Sequence, residues 1–129
     1  MKWLFIFSCC LLATVAVSQD VRIEAETQRF RAVLEPQLSP LEINKMHAWE
    51  VHLSWHDGRP VEGAEIEIGG GMPLHDHGLP SRPRVTQYLG DGVYLVEGMR
   101  FHMPGEWVMD IDITWDGAKE RIRLPLELH

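Results

Sequence analysis

Hydrophobic and polar residues alternate along several segments of the chain, a pattern that predicts β-strands with one buried face. The clearest example is residues 46–55, where the hydrophobic positions are Trp49, Val51, Leu53 and Trp55. Six further segments follow the same period: 27–34, 64–68, 85–89, 93–97, 107–115 and 122–126. No segment shows a convincing helical period. The pattern therefore predicts about seven short strands in an all-β chain.

Turn signals separate these segments. Asp-Gly pairs, which are typical of tight turns between strands, occur at residues 57–58, 91–92 and 116–117. The polar residues 19–28 are expected to be loose at their start, before the first strand. Pro125 has no backbone N–H to donate, so the last strand is expected at a sheet edge or with a bulge. Together these features predict a small immunoglobulin-like antiparallel β-sandwich, with a small barrel as the alternative.

The first residues have the features of a cleavable secretory signal peptide. Lys2 supplies a positive charge, and residues 3–17 are almost entirely apolar. Small residues lie just before the predicted cleavage site, which follows Ser18. The apolar run is shorter than the roughly 20 residues of a membrane span, although an uncleaved anchor is the alternative. We therefore expect a periplasmic or secreted protein with no stable membrane span after cleavage. The predicted divisions are a signal peptide at 1–18, an N-terminal extension with the first strand at 19–44, and the remainder of a single domain at 45–129.

Composition excludes several classes of site. Both cysteines, Cys9 and Cys10, lie inside the predicted signal peptide, so the mature chain has no thiolate ligand and no disulfide. The formal net charge is −7, with 19 acidic against 12 basic residues. Such a surface repels phosphate groups, so we expect no binding of nucleic acid.

Two segments interrupt the alternating pattern, at residues 69–80 and 99–105. Their Gly and Pro content predicts irregular loops rather than ordinary strands or helices. Loops of a sandwich cluster at its two ends, and our hypothesis is that these two share one end. The first segment carries thioether and imidazole groups, and the second adds more of both. The candidate metal ligands are Met72, His75, His77, His102 and Met103, and a role for Met99 is left open.

This set of side chains favours copper. His75 and His77 are two residues apart, so in an extended chain both imidazoles point the same way, about 6.6 Å apart. Thioether and imidazole ligands without thiolate favour copper over Mg²⁺ or Ca²⁺, and Cu(I) over Cu(II). The alternative is that Met99 and Met103 fill the core, as methionine often does. Three other histidines, His47, His52 and His56, lie on or beside the strand predicted at 46–55, and we expect them to be surface or ordinary hydrogen-bonded residues.

The Met-Pro-x-His-x-His motif at residues 72–77 and the His-Met-Pro-Gly motif at residues 102–105 resemble the YtkA-like domain family, which is related to FixH-like proteins. The resemblance covers about residues 45–115. It implies an immunoglobulin-like β-sandwich, usually exported or membrane-tethered in bacteria, with roles in copper handling or cytochrome oxidase assembly. It also implies that the five candidate ligands named above form the site. Asp76 occupies a position at which many members of the family have Gly. The sequence also differs from FixH-type proteins in showing no transmembrane anchor other than the predicted signal peptide.

These observations lead to two functional hypotheses. The first is an exported copper-binding protein, a chaperone or store, that exchanges copper with an envelope protein. The second is a metal-free protein–protein interaction module of the cell envelope. We expect no enzymatic activity, because the sequence shows no Ser, His and Asp in a context typical of a catalytic triad, and no phosphate-binding loop. A histidine-brace oxygenase would need His after the signal cut, where Gln19 stands. The sequence leaves the oligomeric state open.

Overall fold

The computed structural model describes residues 21–129, which form nine β-strands and no helix. The strands are β1 (Ile23–Glu26), β2 (Phe30–Pro36), β3 (His47–Trp55), β4 (Glu65–Met72), β5 (His77–Gly78), β6 (Arg84–Gly90), β7 (Val93–Met99), β8 (Gly105–Trp115) and β9 (Ala118–Leu128). The predicted signal peptide, with Cys9, Cys10 and the cut after Ser18, lies outside the described residues. Residues 21–129 contain no helix with the length and hydrophobicity that a membrane crossing requires.

The strands form two antiparallel sheets. One has five strands in the order β1-β2-β3-β7-β6, and the other has four in the order β5-β4-β8-β9. The prediction of an all-β sandwich is confirmed. The final strand β9 lies at an edge of its sheet, where Pro125 pairs with Val108, as the missing N–H of proline predicts.

The core lies between the two sheets and contains the residues that alternate along their strands. In β3 the buried positions are Trp49, Val51 and Leu53, and β8 supplies Trp107 and three more residues at the same period. Trp49 and Trp107 are both nearly inaccessible to solvent. Full burial of one large apolar side chain contributes about 1.5 to 3 kcal/mol, so this alternation determines which face of each sheet turns inward.

One prediction about local structure is wrong, and one strand was not predicted. Residues 19–28, expected to be loose at their start, contain the edge strand β1 at Ile23–Glu26, because β2 offers it a complete antiparallel partner from Ile23↔Leu34 to Glu26↔Arg31. The glycine-rich segment expected to be a loop continues β4 as far as Met72. The reason is that β8 pairs with it through the glycines, up to Gly71↔Val108. Tertiary pairing here outweighs the weak strand propensity of glycine.

The connection from β3 to β4 crosses between the sheets and is held by Tyr94 of β7. The Tyr94 hydroxyl donates a hydrogen bond to the carbonyl of Val61 (2.8 Å) and accepts one from the backbone N–H of Ala64 (3.1 Å). Burial of this side chain raises the pKa of Tyr94. The hydroxyl therefore stays protonated and acts as both donor and acceptor.

Replacing Tyr94→Phe leaves a buried carbonyl and a partly buried N–H without their partner. We expect this variant to lose roughly 2 kcal/mol of unfolding free energy, measured by urea denaturation. Tyr88→Phe is the matched control, because Tyr88 is 40% exposed and its hydroxyl accepts a single hydrogen bond, from Gly92 N–H. Equal losses in the two variants would contradict this account of Tyr94.

A partly buried ion pair also joins the sheets. Arg29, just before β2, donates from its backbone N–H to Glu120 Oε1 of β9 (3.0 Å) and from its side-chain Nε to Glu120 Oε2. Its Nη2 donates to the carbonyl of Ala118 (3.0 Å). Burial alone would raise the pKa of Glu120, but these hydrogen bonds from Arg29 hold it below its usual value.

The lowered pKa of Glu120 gives the Arg29–Glu120 pair a defined pH dependence. A carboxyl with a lowered folded-state pKa contributes stability above its unfolded pKa of about 4.3 and loses it as pH falls through the folded value. At pH 7 we expect Glu120→Gln to be about 1 to 3 kcal/mol less stable than the wild type. The difference in unfolding free energy between this variant and the wild type should become smaller as the pH falls below about 4, in a series of chemical denaturation measurements. Glu127→Gln, an exposed position on β9, is the control, and a gap that stays constant down to pH 2 would refute the prediction.

Candidate metal centre

The histidine-bearing hairpin is formed by β4 and β5. Met72 at the end of β4 pairs directly with His77, and Gly71 pairs with Gly78. The turn between them is closed by a hydrogen bond from the His75 N–H to the Met72 carbonyl (3.1 Å). Asp76 has a φ of 51°, in the left-handed region that glycine enters most easily.

The hairpin depends on the absence of a side chain at Gly71. A Cβ atom at this position would lie 2.4 Å from the carbonyl oxygen of His77, which is far inside van der Waals contact. Gly70 is similarly constrained, because its Cβ would lie 2.7 Å from the Val108 carbonyl oxygen. A Cβ at Gly69, by contrast, would meet nothing within 4 Å. Two of the three consecutive glycines therefore allow the close strand approach that positions His77.

The structure brings the two predicted loops together at one end of the sandwich. The rings of His77 and His102 have centroids 5.5 Å apart and planes at 82°. The His75 ring lies 6.3 Å from the His77 ring. Since a metal–nitrogen bond is about 2.0 Å long, two imidazoles that share an ion have ring centres about 5 to 6 Å apart. The spacing of His77 and His102 falls within this range and that of His75 and His77 lies just above it, while the ligand atoms of the three histidines do not all lie within 4.8 Å of one another.

His102 has an unsatisfied nitrogen. Its Nδ1 is buried and has no hydrogen-bond partner among the described residues. The ring packs edge-on against Trp107, with centroids 5.5 Å apart. Leaving a polar atom buried and unpaired costs about 1 to 3 kcal/mol, so this nitrogen is a natural position for a ligand. A bound metal ion would use its lone pair, and the donor chemistry of the site therefore fits a metal.

The sulfur atoms have a different environment from the imidazoles. Met72 is 1% exposed and belongs to the core, and its Cε faces Gly105, where a Cβ would lie 3.0 Å from it. Met103 is partly buried against the same core, and its carbonyl accepts a hydrogen bond from Trp107 Nε1 (3.0 Å). Met99 is fully buried in β7 and acts as core filler. Met72 is thus the strand partner of His77 and Met103 follows His102 along the chain, but both side chains pack against the core.

His47, His52 and His56 have their own hydrogen bonds, as expected. His47 Nε2 accepts from the Trp49 indole (2.9 Å) while its Nδ1 donates to the Lys45 carbonyl (2.9 Å), and burial lowers the pKa of His47. His56 Nε2 donates to the Thr27 carbonyl (3.1 Å). His52 lies between two carboxylates on the outer face of the five-stranded sheet. The group of Glu35, Glu50 and His52 has no clear sequence signal, because Glu35 lies on β2 and the other two residues lie on β3.

Gly71→Ala tests whether the close strand approach positions the site. The added methyl group is expected to push the His77 carbonyl away and to separate the His77 and His102 rings. Nuclear Overhauser effects between the two imidazoles measure this distance. Gly69→Ala, two residues earlier in the same strand, is the control and should preserve the ring contact. Rings that remain together in Gly71→Ala would show that the hairpin tolerates a side chain there.

The comparisons with known proteins agree with this architecture. A family model described as YtkA-like matches residues 22–112. Among solved structures, a DUF4426 family protein from Pseudomonas aeruginosa PAO1 is similar, with a TM-score of 0.61 and 13% identity over 83% of this chain and 94% of that one. At this identity the likeness concerns the fold alone. No curated protein matches the chain. Since the family model spans most of the chain and all five candidate ligands, the protein belongs to the YtkA-like family.

Proposed function

We propose that this protein binds copper between the β4–β5 hairpin and the β7–β8 connection, as an exported chaperone or store. The proposed ligands are the imidazoles of His75, His77 and His102, with thioether sulfur from Met72 and Met103. The observation that carries the proposal is the buried, unpaired Nδ1 of His102, with the His77 ring 5.5 Å away. A metal would satisfy this nitrogen and join two segments that are distant along the chain.

The donor set favours copper over other ions. Thioether sulfur is a soft ligand, and together with imidazole it binds Cu(I) in preference to hard cations. Zn²⁺ usually takes histidine, thiolate or carboxylate rather than methionine, and the chain beyond the predicted signal peptide has no cysteine. Met72 is almost fully buried and Met103 is partly buried, and a weakly hydrated environment suits the lower charge of Cu(I).

The exposure of the site suits binding and transfer. His75 and His77 are exposed on the hairpin, so a partner protein can approach them directly. The net charge of −7 favours encounters with cations. The proposed partner is an envelope protein that donates or accepts copper, and the periplasmic or secreted location is inferred from the signal-like sequence at residues 1–18.

Copper affinity of a variant that lacks two proposed ligands tests the proposal. We expect His77→Ala/His102→Ala to bind Cu(I) at least about tenfold more weakly than the wild type, in competition with a chromogenic chelator. His56→Ala is the matched control, because this exposed imidazole bonds to the Thr27 carbonyl away from the site. Met72→Leu should weaken Cu(I) binding more than Cu(II) binding, because sulfur prefers the softer ion.

A second candidate function is supported by the hairpin tip. Leu74 is 75% exposed next to His75, where it offers an apolar contact to a partner protein. Copper affinities that are equal in the wild type and the double variant would contradict the copper proposal. Protein that contains no metal when purified, shows no change in Tm with copper and captures an envelope protein through Leu74 would support a metal-free interaction module.

A further inference from the structure

A second group of metal-ligating side chains lies on the outer face of the five-stranded sheet. Glu35 of β2 and Glu50 of β3 are direct partners in the register of the two strands, and His52 follows two residues later on β3. The neighbouring residues of both strands point into the core, so these three side chains point outward. All three are partly exposed, with side-chain exposures of 33%, 29% and 37% respectively. The group is therefore reachable from solvent and is separate from the hairpin site.

The potential ligand atoms of this group converge. His52 Nε2 lies 3.3 Å from Glu35 Oε2 and 3.2 Å from Glu50 Oε2. One ligand atom from each of the three residues lies within 4.8 Å of the other two. In a tetrahedral site with metal–ligand bonds of about 2.0 to 2.1 Å, neighbouring ligand atoms are about 3.3 Å apart. The observed spacing from the imidazole to each carboxylate is close to this value.

Neighbouring residues orient both carboxylates. Arg22 Nη1 donates to Glu35 Oε1 (2.7 Å), and Gln37 Nε2 donates to Glu50 Oε1 (3.2 Å). In each carboxylate, one oxygen is occupied and the other is left facing the imidazole. Partners of this kind, which hold ligands in place from behind, are typical of metal sites.

The charge balance of the group calls for a cation. Two carboxylates directly opposite each other on neighbouring strands repel, and this arrangement destabilises a sheet unless the charge is offset. Arg22 pairs with Glu35 and with Glu24, and among the described residues no arginine or lysine pairs with Glu50. One imidazole nitrogen and two carboxylate oxygens form a donor set suited to a divalent transition metal such as Zn²⁺. The group contains no thioether for Cu(I), and Ca²⁺ and Mg²⁺ prefer oxygen ligands alone.

We propose that Glu35, Glu50 and His52 form a second metal site that binds Zn²⁺, with water completing the coordination on the exposed side. The site is independent of the copper proposal, because it shares no ligand with the hairpin. The two sites differ in chemical softness, and the protein would therefore separate the two ions by ligand type. Zinc at this position would also join β2 to β3 and stabilise the folded chain by mass action.

Zinc titration of the purified full chain at neutral pH tests this inference. We expect Glu50→Gln and His52→Ala each to weaken the binding of one equivalent of Zn²⁺ by at least about tenfold, as measured by calorimetry. His77→Ala/His102→Ala should retain that equivalent, and so should the His56→Ala control. In the wild type, nitrogen chemical shifts of the His52 imidazole should change on addition of Zn²⁺, which reports coordination at Nε2 directly.

Two results would overturn the zinc site. If Zn²⁺ leaves the His52 nitrogen shifts unchanged, then His52 and the two carboxylates form a proton-bridged group rather than a metal site. If zinc binding disappears in His77→Ala/His102→Ala alone, then the hairpin is the zinc site. The measurement on wild-type protein keeps the test valid even where a variant fails to fold. Loss of copper binding in the hairpin variant has no bearing on this outcome, so the two proposals fail separately.

Discussion

The geometry of the candidate metal centre depends on how closely two backbones approach at Gly71. The carbonyl of His77 occupies the space that any side chain at this position would fill. This contact keeps β5 paired with the end of β4 and directs the His77 ring toward His102. Because the constraint acts through backbone atoms, it positions an exposed side chain without burying it.

Trp107 connects this hairpin end to the core. Its indole N–H donates to the Met103 carbonyl, and its ring packs edge-on against both His102 and Phe101. One fully buried side chain thus supports the connection that carries two of the proposed ligands. The rigidity of the core is thereby extended to His102, while His75 and His77 remain on an exposed hairpin. The centre thus combines a half fixed to the core with a half that is accessible to solvent.

Much of the fold could be predicted from the alternation of hydrophobic residues, because burial of one face is what makes β3 and β8 strands. The glycine-rich end of β4 could not be predicted in this way, because glycine has low strand propensity. The pairing of this segment depends on β8, which is distant along the chain. The meeting of His77 with His102 could be anticipated because loops of a sandwich gather at its ends. Predicting the group of Glu35, Glu50 and His52 requires knowledge of the register of β2 against β3, because a one-residue shift of that register would separate its members. Whether either site holds a metal stays a prediction.

The edge position of Pro125 has a consequence for how molecules of this protein behave together. The strand β9 is 11 residues long and forms one border of its sheet, and a long border of unpaired backbone groups can recruit a strand from another molecule. Proline offers no N–H at that point, so a continuous ladder along the border would be interrupted. At the opposite border, β5 is 2 residues long and offers little to pair with. The proline of β9 thus limits the extension of the four-stranded sheet at that border.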